Sequence, residues 1–235
     1  MNSHNIVSKE EWLSRRLELL KEEKEFDRLR DQLSKKKREL PWIKVEEEYS
    51  FETEYGTAKL SDLFGECSQL IIYHFMYGPD WNDGCPSCSY WADNFNGIDI
   101  HLSHRDIKFV AVSRAPLHIL QAYKERMGWD FEWVSSFNSD FNYDYQVSFT
   151  PEEMEKGEMF HNFHIEKFSV NEAPGISVFY KNDHDEVFHT YSTYRRGLDM
   201  FNGAYHYMDI APKGRDESDL PYTMAWLQRH DQYED

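Results

Sequence analysis

Leu70-Ile71-Ile72-Tyr73-His74-Phe75-Met76-Tyr77, followed after a short loop by Gly84-Cys85-Pro86-Ser87-Cys88, decides the fold of this chain. The first stretch is almost wholly apolar, as a central strand covered on both faces must be. In the second, Pro86 directly after Cys85 fits the first residue of a helix, where a missing N–H costs nothing. A buried strand that runs into a Cys-x-x-Cys at a helix start is the arrangement for reversible dithiol chemistry.

The flanking sequence alternates in the same manner. Lys108 to Arg114 reads as a second buried strand, Pro116 to Met127 as a helix closed by Gly128, and Phe131 to Ser135 as a third strand. Upstream, Val45 to Thr53 with Gly56 and Ala58 reads as a hairpin turning at Tyr55-Gly56, and Leu60 to Phe64 as one helical turn. Downstream, Ile176 to Lys181 and Glu186 to Tyr191 form a closing hairpin around Asn182 to Asp185. Leu198, Phe201, Tyr205 and Met208 share one helical face and predict a last amphipathic helix.

Three segments stand outside this pattern. Ser8 to Leu40 is charged, lacks Gly and Pro, and reads as a long helix with Ser8 and Glu11 as a capping box. Leu13, Leu17 and Leu20 lie on one face and Leu19, Phe26, Leu29 and Leu33 roughly opposite. That phase change predicts either a break near Glu22 to Glu25 or two buried faces. Two faces would suit packing on the chain's own body and on a second subunit, hence a possible homodimer through this helix. Residues 137–172 are polar and aromatic-rich, with a turn-rich Asp140 to Asp144, and read as an insertion. Residues 212–235 read as a polar tail with Met224, Trp226 and Leu227 docked. The expected organisation is an arm over 1–41, a body over 42–211 and a tail.

Composition narrows the function. The 235 residues include 40% hydrophobic and 16% aromatic side chains, enough for an aromatic-rich core. A net charge of −17 opposes phosphate backbones and anionic membranes, so neither nucleic acid nor membrane is an expected partner. No apolar run approaches a membrane span and no signal segment is visible, which makes the cytoplasm the expected location. With only three cysteines, a disulfide scaffold is not expected; Cys67 reads as a small buried hydrophobe. His161 and His164 make a weak H-x-x-H, and neither a metal nor a cofactor is expected beyond the cysteine pair itself.

Several blocks resemble a known family. They include Tyr73 to Trp81, Gly84 to Cys88, Trp91 to Phe95, Phe109 to Pro116, Ser139 to Asp144 and Val187 to Tyr194. With them the chain resembles, over nearly its whole length, the bacterial family labelled domain of unknown function 899. The resemblance implies an α/β, thioredoxin-like fold: a mixed sheet flanked by helices, here with an N-terminal helical arm and an insertion before the closing hairpin. The wider superfamily implies that Cys85 attacks, Cys88 resolves, and a cis-proline faces them, a place that Pro174 occupies. Gly84 departs from the Trp usual before the first cysteine. Pro79 to Cys85 also lacks the Thr and the spacing of a peroxiredoxin motif.

The chemistry follows from placement. A Cys85 sulfur at a helix start faces free backbone N–H groups, which favour thiolate, while Cys88 lies on the same face within reach. Asp80 and Asp83 oppose a thiolate, Arg114 at the end of the neighbouring strand would offset them, and Trp81 would line the pocket. The expected activity is thiol–disulfide oxidoreduction on an unidentified thiol or disulfide substrate, protein or small molecule. The alternatives are a thiol-dependent peroxidase and a non-catalytic binding or assembly module on the same scaffold.

Overall fold

The computed structural model describes residues 5–234. The chain divides after Pro41 into two compact units. The first is dominated by α1 (Lys9–Arg38), whose Ser8 cap accepts a hydrogen bond from the Glu11 N–H at 3.2 Å. It runs without a break and none of its residues is buried. The break expected as one reading of the phase change is therefore absent. Ion pairs such as Arg15–Glu11 and Arg16–Glu23 bridge successive turns, so the helix is supported by its charges.

The second unit holds a sheet. Its strands in chain order are β1 (Ile43–Lys44), β2 (Ser50–Thr53), β3 (Gly56–Lys59) and β4 (Gln69–His74). After α2 (Pro86–Ala92) and α3 (Ile98–Ser103) comes β5 (Ile107–Ser113), and after α4 (Leu117–Arg126) comes β6 (Trp133–Ser135). Then follow α5 (Phe141–Asp144), α6 (Pro151–Lys156), and a separate hairpin of β7 (Met159–His161) and β8 (His164–Glu166). β9 (Gly175–Lys181), β10 (Val187–Tyr194) and α7 (Gly203–Ile210) complete it. The order across the eight-stranded sheet is β1-β10-β9-β4-β5-β6-β2-β3, which leaves the short β1 and β3 at the edges. β4, β5 and β6 are parallel; β9 runs antiparallel to β4. Parallel central strands with helical crossovers and an antiparallel closing hairpin make the fold thioredoxin-like.

Alternation along the central strands builds two cores. Tyr73, Phe109, Ala111 and Trp133 point to one face, under Trp91 and Tyr205. Leu70, Ile72, Val110, Val112 and Val134 point to the other, under Phe51, Phe64 and Phe141. This double burial is why β4 and β5 read as continuous apolar runs. His74 and His189 belong to the second face. His74 Nε2 meets Ser177 Oγ at 2.9 Å, Ser177 meets Ser192 at 2.9 Å, and Ser192 meets His189 Nε2 at 2.8 Å. Burial holds His74 neutral, its pKa lowered to about 3.

Two local expectations are corrected. Asp140 to Asp144 is not a loop, since α5 lies there. Phe141 is fully buried, with edge contacts to Phe51 at 4.9 Å and Tyr49 at 5.1 Å. The last helix is two pieces, a 3-10 segment over Arg195–Phe201 and then α7. Asn202 separates them because its side chain accepts the Tyr205 N–H at 3.2 Å and caps the second piece.

Phe141→Ala is therefore expected to cost about 3–5 kcal/mol, the range for a buried aromatic truncation. Urea denaturation measures it. A loss below about 1 kcal/mol would mean that Phe141 carries no core load.

Candidate active site

The loop between β4 and α2 is tied to the sheet at each step. The Phe75 N–H donates to Val112 O at 2.9 Å, the Ala115 N–H to Tyr77 O at 2.8 Å, and the Cys85 N–H to Met76 O at 3.1 Å. Gly84 is pressed so close to the aromatic core that a Cβ there would lie 2.8 Å from the Phe75 ring and 3.1 Å from Tyr123. Glycine, with no Cβ, allows that approach. This is the physical reason that the bulky residue expected before the first cysteine is missing. Cys85 then caps α2 and Pro86 is its first residue.

The two thiols are free and differ in environment. Cys88 is buried, while Cys85 keeps partial exposure. The Cys85 thiol is lowered to about 7. The Cys88 S–H stabilises its thiolate most, burial opposes, and the N–H groups of Cys88 and Ser87 and the Ser87 hydroxyl assist. Cys88 is pushed well above its ordinary value by burial and by the Cys85 charge. The Met76 N–H at 3.4 Å and the Tyr73 hydroxyl bond its sulfur.

The sequence matches the family model described as "Bacterial protein of unknown function (DUF899)" over residues 1–233. The chain belongs to this family. No curated protein matches significantly. Among solved structures it is similar to a cysteine-to-serine mutant of Xanthomonas campestris peroxiredoxin Q, at 15% identity and a TM-score of 0.45, covering 67% of this chain and 90% of that one. It is similar to peroxidoxin BcpB of Mycobacterium tuberculosis at 11% identity and 0.46, covering 69% and 93%. A putative thiol:disulfide interchange protein DsbE from Chlorobium tepidum follows at 13% and 0.39, covering 69% and 95%.

The other expected site residues of this DUF899 chain are placed as follows. Pro174 lines the same cavity as Cys88. Its peptide is trans, as no cis bond occurs among the described residues, so this position departs from the cis-proline that the superfamily resemblance implies. The Ala173 N–H donates to Val147 O at 2.8 Å, so the chain enters β9 along an extended path. Arg114 does not act on Cys85. Its guanidinium pairs with buried Glu172 at 3.0 Å and lies 4.5 Å over the Tyr143 ring. Burial raises the Glu172 carboxyl to about 7 against the pull of Ser148 and Arg114. Arg114 thereby fixes the segment leading to Pro174. Trp81 packs over Gly78 and onto the core, and does not line the cavity at Cys88. Asp83 is neutralised by Arg126 at 2.9 Å. His161 is buried with Nδ1 on Gln146 O at 2.7 Å, while His164 is exposed across the β7–β8 pair. Cys67 is half-buried and its thiol is pushed up by burial.

Sequence reasoning missed Ser89, Tyr123 and Arg229. Ser89 Oγ donates to Cys85 O at 3.0 Å and meets Tyr123 Oη at 2.9 Å. Arg229 Nε donates to the same Tyr123 oxygen at 2.7 Å, and its Nη2 to Gly84 O at 2.7 Å. The C-terminal segment thus holds the Gly84 carbonyl directly and, through Tyr123, steadies the Ser89 hydroxyl that holds the Cys85 carbonyl. Its only signal was a cluster of charges, Arg229, His230 and Asp231, in a tail without apolar periodicity.

Removing the Cys88 donor in Cys88→Ala should move the midpoint of Cys85 alkylation upward from about 7 toward the free-thiol value of about 8.5. The pH dependence of iodoacetamide reactivity reads this directly. Arg229→Ala should cost about 1.5–3 kcal/mol, the range for hydrogen bonds to a charged group. It should also speed amide exchange at Ser89; unchanged exchange would mean that the tail does not restrain the loop.

Proposed function

We propose that this chain is a thiol–disulfide oxidoreductase in which Cys85 attacks and Cys88 resolves. The observation that carries the reading is the split within the pair: Cys85 lowered to about 7 and Cys88 held well above its ordinary value. At neutral pH roughly half of Cys85 is then nucleophilic, while its partner stays protonated and donates to it. The Cys85 thiolate attacks one sulfur of a disulfide, the S–S bond breaks, and the first thiolate leaves. Charge on Cys85 is spent in the mixed disulfide, which removes one cause of the raised Cys88 value. Cys88 can then lose its proton and displace the second thiolate. Two electrons pass from the dithiol to the substrate, and a thiol reductant restores it. Such a dithiol suits a reducing, cytoplasmic setting and a disulfide-bearing partner.

Reduction of insulin disulfides by dithiothreitol, followed with and without the protein, tests the reading. Cys85→Ser should abolish the acceleration. Cys88→Ser should stall with substrate covalently held on Cys85, visible as a mass addition. Full activity in Cys85→Ser would sink the proposal, and Cys85-dependent consumption of peroxide without disulfide exchange would replace it with a peroxidase.

A further inference from the structure

A cavity of about 570 Å3 opens beside the first turn of α2, with Ser87 and Cys88 in its wall and Cys85 just outside its lining. That is the size range of a small-molecule site. Its interior is mostly aromatic and apolar, with Tyr73, Trp91, Phe168, Leu198 and Tyr205 among its lining residues. Three guanidiniums, Arg195, Arg196 and Arg215, also line it, beside the two carboxylates of Asp199 and Glu217, in a chain whose net charge is −17.

The walls are fixed in place. One oxygen of Glu217 accepts from Tyr205 Oη at 2.9 Å, the Met224 N–H at 3.0 Å and Trp226 Nε1 at 2.8 Å. This locks the C-terminal segment as one side. Trp91 Nε1 donates to Leu198 O at 2.8 Å and ties the 3-10 segment to α2. Arg215 lies 3.9 Å over the Tyr205 ring and binds Asp209 through two nitrogens. Two lining residues, Arg195 at φ 52° and Met224 at φ 67°, hold left-handed backbone that non-glycine residues rarely adopt. Such strain persists where surrounding contacts over-determine the chain, and it gathers at ligand sites. Here the contacts are Glu166 on Arg195 and Glu217 on the Met224 N–H.

We propose that this cavity seats the substrate, a small organic disulfide with an aromatic body and a carboxylate or similar anion, rather than a protein loop. This rests on the dithiol reading and adds its substrate class. The aromatic walls take the body. Arg196, whose side chain is 87% exposed and whose ion pair is with Asp199, meets the anion at the rim. The exchange is that of the dithiol: the substrate S–S bond breaks, two thiols leave, and Cys85–Cys88 forms.

Binding is measured apart from chemistry, on Cys85→Ser protein. The probes are anilinonaphthalene sulfonate and its uncharged analogue phenylnaphthylamine, followed by fluorescence. The expected result is one site for both. Arg196→Gln should weaken the sulfonate about threefold, as fits one exposed charge pair, and leave the neutral probe unchanged. Thr223→Trp, at an exposed lining residue, should weaken both by at least about tenfold. If that variant does not fold by thermal melt, Arg196→Gln decides alone. With both cysteines intact, Arg196→Gln should raise KM for dithiobis(nitrobenzoate) and not for neutral dithiodipyridine. Probe binding indifferent to the variants overturns the cavity assignment and leaves the dithiol intact. Bound probe with inert cysteines overturns the dithiol reading and leaves the cavity as a binding site.

Discussion

The closeness of the Gly84–Cys85 peptide to the rings of Phe75 and Tyr123 governs the geometry of the cysteine pair. With a Cβ at Gly84 the loop would be driven off the core, and the Cys85 N–H would leave Met76. The helix would then start elsewhere, and the two sulfurs would no longer share one face. A packing constraint of a fraction of an ångström thus fixes an electrostatic outcome, because the thiolate of Cys85 depends on donors that belong to the same turn.

The same peptide is gripped from outside. Arg229 lies far away in sequence, yet it binds the Gly84 carbonyl and the Tyr123 hydroxyl beneath it. Arg126 meets both Asp83 and Asp231, so the loop, α4 and the C-terminal segment form one ionic cluster. These acids are engaged by arginines and do not burden the thiol. The site is a buried floor of rings closed by a charged strap.

Much of this was legible. Runs buried on both faces announced β4 and β5, and the motif after β4 announced α2, since local pattern and global fold agree there. The strap was not legible: no periodicity links Arg229 to Gly84, and only tertiary structure brings them together. The α5 segment was hidden by Asp and Asn, which favour turns, although Phe141 and Tyr145 were spaced one helical turn apart. The break at Asn202 was hidden because apolar spacing continued through it while a side-chain cap restarted the helix. Arg114 was placed at the correct end of its strand, but a carboxylate that sequence order does not bring near, Glu172, had already claimed it.

The sheet ends in β1, of two residues, and β3, of four. Open sheet edges are templates on which a further strand can add, and proteins blunt them by brevity and charge. Here Lys44, held by Glu186, sits on one edge and Lys59 ends the other. A foreign strand would find few free backbone groups in register. Polymerisation by strand addition is thereby disfavoured, and backbone pairing is confined to the strands that the fold itself supplies.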